Sequence, residues 1–238
     1  MAKIGIIQTG RIGDIIIALP IAAKFADRGD TVFWPVEDRY LAFVAAAAPY
    51  VTFLPIPHDA ERADHAVTLP LEALQEREVD QTFMLYSTLN GLGGYQAENE
   101  KIAQFLKIDE YKYAIARVPF SEKWNLKIAR NLKREEELFR SLNITRQFIC
   151  MHRKGSNVTL DIALPAEWKR DYDIIDIDER ASSPFDWILT LERASKLMCI
   201  DSLFANLVEQ LNLQTEKYLA LRLPGLNTPV FKNGWTFV

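Results

Sequence analysis

Two short segments place chemically capable side chains directly after apolar, strand-like runs. Near the start, Thr9-Gly10-Arg11-Ile12-Gly13-Asp14 follows Lys3-Ile4-Gly5-Ile6-Ile7-Gln8 and precedes an apolar run from Ile15 to Phe25. Strand, glycine turn and helix in that order put backbone N–H groups and a helix N-terminus at the ligand edge of a parallel sheet. The turn ends in a carboxylate. Asp14, expected to open the helix, reads either as its cap or as a general base at the mouth of a cleft. The spacing is G-x-x-G-D, not the G-x-G-x-x-G of dinucleotide sites. A phosphate here would meet the Asp14 charge, so cofactor binding by this loop is disfavoured.

The second segment is Met198-Cys199-Ile200-Asp201-Ser202-Leu203-Phe204-Ala205-Asn206-Leu207. The Ser202 hydroxyl and the first amides of the following helix can hold a diphosphate. Asp201 can accept from a ribose or sugar hydroxyl. The same order also describes an ordinary capped junction. Upstream, Arg153-Lys154-Gly155-Ser156 adds two cations, suited to a leaving diphosphate or to a basic surface turn. His58, His65 and His152 show no metal-ligand spacing with Cys150 or Cys199, which read as buried free thiols of a reducing compartment.

The elements that would position these groups alternate. Strands are expected at 31–36, 51–56, 82–86 and 113–118, with helices over 38–48, 71–77 and 96–106. Pro20 is expected to kink or split the first helix. A charged helical pattern covers 121–142. Strands at 147–151, 173–177, 197–200 and 218–223 follow, with helices over 183–194 and 202–211. Alternating β and α implies doubly wound parallel sheets. Three parts are expected: an N-terminal unit over 1–120, a connecting helix within 121–145 and a C-terminal unit over 146–238, the last reduced.

The composition sets outer bounds. The chain has 238 residues, 49% hydrophobic and 25% charged, with a net charge of −4. That is globular composition, and its mild acidity argues against nucleic acid as a partner. No leader or membrane-length apolar run is read in it, so a cytoplasmic protein is expected. Peripheral contact with a membrane is left open.

The stretch I-I-Q-T-G-R-I-G-D-I-I-I-A-L-P, Ile6 to Pro20, resembles the N-terminal motif of heptosyltransferase-like glycosyltransferases of family 9. D-S-L-F-A-N-L, Asp201 to Leu207, is similar to that family's Asp-Ser/Thr-Gly-x-x-His-Leu. The resemblance implies the GT-B fold, two Rossmann-like domains facing across a cleft. It implies an inverting, metal-independent transfer of a sugar, heptose or hexose, from a nucleotide-diphosphate donor, with ADP as the family's nucleotide. The acceptor would be a glycan or lipopolysaccharide-type glycolipid, and no cofactor is needed. By carry-over Asp14 matches the catalytic base, and Asp201, Ser202, Leu203 and Lys154 the donor side. Arg11, Gly13 and Asn90, the last in the turn Asn90-Gly91-Leu92-Gly93-Gly94, are assigned to the acceptor. Leu203 replaces the family's Gly and Asn206 its His, which keeps a non-catalytic sugar-nucleotide or partner-binding relative as the alternative. Asp176-Ile177-Asp178 resembles a metal-binding D-x-D, but alternate strand positions face opposite ways, so an acidic strand-end turn is expected.

Overall fold

A computed structural model describes residues 1–86, 105–155, 158–222 and 228–238. The chain divides into two compact units. The first holds the described part of Met1–Ala129 with residues 228–230; the second holds the described part of residues 130–222 with Phe231–Val238.

In the first unit, β1 (Lys3–Ile7), β2 (Thr31–Glu37), β3 (Val51–Ile56) and β4 (Gln81–Met84) form a parallel sheet ordered β3-β2-β1-β4. Ile4, Ile6 and Ile7 are all buried, as befits a central strand covered on both faces. The order reverses between β1 and β4, which makes that pair the topological switch point, where open α/β sheets bind ligands.

Helix α1 (Ile12–Asp27) packs the sheet with ten buried residues. It starts earlier than expected, with Arg11 as N-cap at φ 61°. Asp14 therefore lies inside the first turn and is not the cap. Nor does Pro20 split α1, which continues through it. The missing hydrogen bond costs about 3 kcal/mol in a free helix; here the surrounding turns are wholly buried, and the Tyr113 hydroxyl donates to Ile17 O at 2.9 Å.

Helices α2 (Asp38–Ala47) and α3 (Leu69–Gln75) follow, α3 entered through a π-turn at Asp64–Thr68. The strand expected at 113–118 is instead the end of helix α4 (Ile108–Ala116). Glu110 Oε2 accepts from Lys107 N at 2.8 Å to fix the start of α4, and Arg117 ends it in the left-handed region at φ 54°. The charged stretch 121–142 is not one helix either. A 3-10 turn at Phe120–Trp124 gives way to non-helical backbone, and α5 (Leu132–Ser141) begins only where Asn131 Oδ1 accepts from Arg134 N at 3.1 Å. The expected turn at 90–94 and nearly all of the helix over 96–106 lie outside the described residues.

In the second unit, β5 (Phe148–His152), β6 (Asp173–Asp176), β7 (Lys196–Ile200), β8 (Glu216–Ala220) and β9 (Trp235–Phe237) form a parallel sheet ordered β6-β5-β7-β8-β9. Its switch point lies between β5 and β7. The short helix α6 (Ala166–Asp171) connects β5 to β6. Ser183 Oγ accepts from Phe185 N at 3.2 Å, and a 3-10 turn leads into α7 (Ile188–Arg193). Helix α8 (Leu203–Gln210) follows β7. Cys150 and Cys199 are buried free thiols in adjacent strands, and burial pushes the Cys199 thiol up to about 12.

Candidate functional site

At the first switch point, the backbone leaving β1 carries Gln8, Thr9 and Gly10 past the ends of β2 and β4. Asp14 sits one turn into α1, where the helix dipole favours a carboxylate. Beneath it α4 delivers Lys112, whose Nζ donates to Gln8 Oε1 at 2.6 Å and Leu85 O at 3.0 Å. The same ammonium lies 3.4 Å from Asp14 Oδ1, with side-chain exposures of 2% for the lysine and 13% for the aspartate. The cation is sealed in and the carboxylate keeps a solvent face. Gln8 is itself fixed, its Nε2 donating to Gly10 O at 3.2 Å and its O accepting from Trp34 Nε1 at 3.1 Å.

Beside this pair, Tyr86 Oη accepts from Thr9 N at 3.0 Å and shares a 2.9 Å hydrogen bond with Thr9 Oγ1. His65, on the π-turn, places Nδ1 3.4 Å from Thr9 Oγ1. Its Nε2 lies 3.2 Å from Glu37 Oε1, within ion-pair range but outside hydrogen-bond alignment. Glu37, at the end of β2, also pairs with Arg39. A Cβ at Gly10 would stand 2.4 Å from Glu37 Oε1. The first turn glycine thus makes room for a carboxylate.

At the second switch point, His152 ends β5 and Asp201-Ser202 follows β7. His152 Nδ1 and Ser202 Oγ are 2.9 Å apart, and the imidazole meets the Phe204 ring edge-on with centroids 4.7 Å apart. Burial, reinforced by the charges of Arg222 and Lys154, lowers the His152 pKa to about 4. The ring is therefore neutral at pH 7. Asp201 Oδ1 accepts from Arg222 N at 2.8 Å and from Arg222 Nε at 3.0 Å. Side-chain exposure is 4% for Asp201 and 27% for Arg222.

Of the residues singled out from sequence, Asp14 is accessible and central, with Gly13 beside it in the first turn of α1 and Arg11 exposed at its cap. Ser202 caps α8 by position without a side-chain cap bond, and Leu203 is half-buried at its first turn. Asp201 is engaged by Arg222. Lys154 is exposed and paired with Glu179 at 2.5 Å, and Arg153 with Asp176 at 2.8 Å. Asn90 lies outside the described residues. β6 ends at Asp176, and Asp178 pairs with Arg180, which fits the acidic strand-end turn. Among the described residues no group of His, Cys, Asp and Glu is arranged to hold a metal ion.

Sequence reasoning missed Lys112, Glu37, His65 and Arg222. A lone lysine among Tyr111, Tyr113 and Ile115 and a lone arginine after Tyr218-Leu219-Ala220-Leu221 were the available signals. Nothing local marks Glu37 or His65.

No family model matches the sequence, and no curated protein matches it either. Solved structures do match in fold. The family 9 glycosyl transferase from Veillonella parvula DSM 2008 aligns over 100% of this chain and 86% of its own, at 10% identity and a TM-score of 0.63. The E. coli ADP-heptose lps heptosyltransferase II aligns over 100% and 90%, at 10% identity and a TM-score of 0.61. E. coli heptosyltransferase WaaC with ADP-2-deoxy-2-fluoro heptose aligns over 99% and 92%, at 14% identity and a TM-score of 0.55. The chain has the fold of heptosyltransferase-like, family 9 glycosyltransferases, built from two Rossmann-like units with parallel sheets.

Proposed function

We propose that the chain is a glycosyltransferase that moves a sugar from a nucleotide-diphosphate donor to a hydroxyl of a glycan or lipopolysaccharide-type acceptor. The observation that carries this reading is the reversed exposure of the two switch-point ion pairs: carboxylate outward in the first unit, guanidinium outward in the second. An inverting transfer needs both, a base for the acceptor and positive groups for the departing diphosphate.

On this reading the first unit takes the acceptor, with Arg11, Gly13 and Asn90 on its acceptor side. Asp14 accepts the proton of the acceptor hydroxyl while that oxygen bonds to the anomeric carbon. The bond from this carbon to the diphosphate oxygen breaks, and its electron pair leaves with the diphosphate. Attack opposite the leaving group inverts the centre. Ser202, the amides at the start of α8 beside Leu203, and the cations near Asp201, including Lys154, meet the charge that develops. The reading calls for no metal and no cofactor; Asp176 and Asp178 already have arginine partners. ADP-heptose is the first donor to try, because the similar structures are named for it or carry its analogue.

Calorimetry with ADP, UDP and GDP, followed by ADP release from ADP-heptose in the presence of heptose-deficient lipopolysaccharide core, tests the reading. Asp14→Ala is expected to keep nucleotide affinity and lose about 10²–10⁴-fold in transfer, with Asp14→Asn as a milder companion. Failure of all three nucleotides to bind at millimolar concentration overturns it.

A further inference from the structure

Resting on the second unit as the donor side, we propose that Arg222, oriented by the buried carboxylate of Asp201, is the principal cation that grips the donor's diphosphate.

The arginine is held at both ends. Its backbone N and its Nε donate to Asp201 Oδ1 at 2.8 and 3.0 Å, and its Nη2 donates to Asp201 O at 2.5 Å. A guanidinium fixed in this way loses little further rotamer freedom when it meets a ligand, and its planar fork suits a phosphoryl group. Asp201 is on the buried side of the pair and Arg222 on the open side, so the dipole of the pair points its positive end outward. Nη1 has no acceptor among the described residues. Room around it depends on Gly155: a Cβ there would approach Nη1 to 3.0 Å and the Arg222 Cδ to 3.3 Å.

The alternative cation is less suited. Lys154 Nζ pairs with Glu179, and the two side chains are 67% and 86% exposed. Such surface pairs hold little net energy and leave a flexible stem to be ordered on binding. Arg222 also explains the role of Asp201. The sequence suggests a carboxylate for sugar hydroxyls; in the structure its Oδ1 and its backbone O are both occupied by the arginine. Asp201 is thus a positioning residue that acts through Arg222.

The test is calorimetric titration of the full chain with inorganic pyrophosphate, ADP, inorganic phosphate and adenosine. Thermal melts check that each variant is folded. Arg222→Gln and Arg222→Lys are expected to weaken pyrophosphate and ADP by about tenfold or more, since a hydrogen bond to a charged group is lost and lysine cannot reproduce the fork. Gly155→Ala, which moves the guanidinium without removing it, should weaken both a few-fold and keeps the idea testable if the Arg222 variants fail to fold. Lys154→Ala should weaken both less than Arg222→Gln does, because its flexible stem must be ordered on binding; an equal or larger loss in Lys154→Ala overturns Arg222 as the principal cation. Wild-type affinity for ADP in folded Arg222→Gln overturns the role of Arg222 while leaving the donor side standing. No binding of ADP or pyrophosphate by the wild type overturns the donor assignment itself. Phosphate binding as tight as pyrophosphate, and equally lost in Arg222→Gln, overturns the diphosphate assignment.

Discussion

The two switch points use like components with opposite polarity. In the first unit the buried partner is the cation Lys112 and the solvent-facing partner is the carboxylate Asp14; in the second the buried partner is the carboxylate Asp201 and the outward one is the cation Arg222. Each pair is close to neutral overall. What differs is which charge a ligand meets. A parallel sheet edge therefore does not dictate the sign of its ligand. The sign is set by which member of the pair is buried: Lys112, delivered by α4, in the first unit, and Asp201, directly after β7, in the second.

Removing the outward partner strands a buried charge, and that should be the largest effect. Asp14→Ala leaves the Lys112 ammonium without its carboxylate, and Arg222→Gln leaves Asp201. Each should cost about 3 kcal/mol in urea unfolding. Adding Lys112→Met to Asp14→Ala should recover much of that loss; no recovery would mean that the two residues are not energetically paired.

A pH-dependent effect is expected in the second unit from His152. Its pKa of about 4 lies below the ordinary 6.5, so between these values the unfolded chain binds a proton that the folded chain does not. The stability tied to this residue is intact above pH 6.5 and falls as pH drops toward 4, by up to roughly 3 kcal/mol. Subtracting the unfolding profile of His152→Asn from that of the wild type isolates this slope. A flat difference would show that the ring is not buried neutral.

The glycines separate the units by a smaller margin. Gly10→Ala drives a methyl to within 2.4 Å of a Glu37 carboxylate oxygen, whereas Gly155→Ala meets Arg222 at 3.0 Å. The first should cost about 1–2 kcal/mol, as overpacking does. The second should cost less than about 1 kcal/mol, because a half-exposed guanidinium can give way. Equal losses in thermal melts would contradict this difference in crowding.

The strands were legible because a buried parallel strand is a short continuous apolar run, as in residues 4–7 and 197–200. Both motif turns were legible for the same reason, since each follows such a run. Helix α4 was not: Tyr113-Ala114-Ile115-Ala116-Arg117-Val118 alternates like a strand, and what makes it helical is the Lys107–Glu110 bond one turn earlier together with burial of Tyr113. The all-round burial that carries α1 through Pro20 is likewise a tertiary fact. Arg222 and Lys112 were illegible as site residues because their meaning lies in partners far along the chain. Gln8 and Lys112 are 104 residues apart, and Asp201 and Arg222 are 21. β9 escaped notice as three residues whose anchor, the bond from Trp235 Nε1 to Glu209 Oε2 at 2.7 Å, joins two remote positions.

On the proposed function the second unit, and not the first, meets the nucleotide's diphosphate. ADP titrated into uniformly ¹⁵N-labelled protein, with backbone amide shifts followed residue by residue, separates the two. Saturable shifts are expected at His152–Gly155, Ser202–Phe204 and Arg222, with Thr9–Asp14 and Lys112 unmoved. Shifts at Thr9–Asp14 while the second unit stays silent would contradict it.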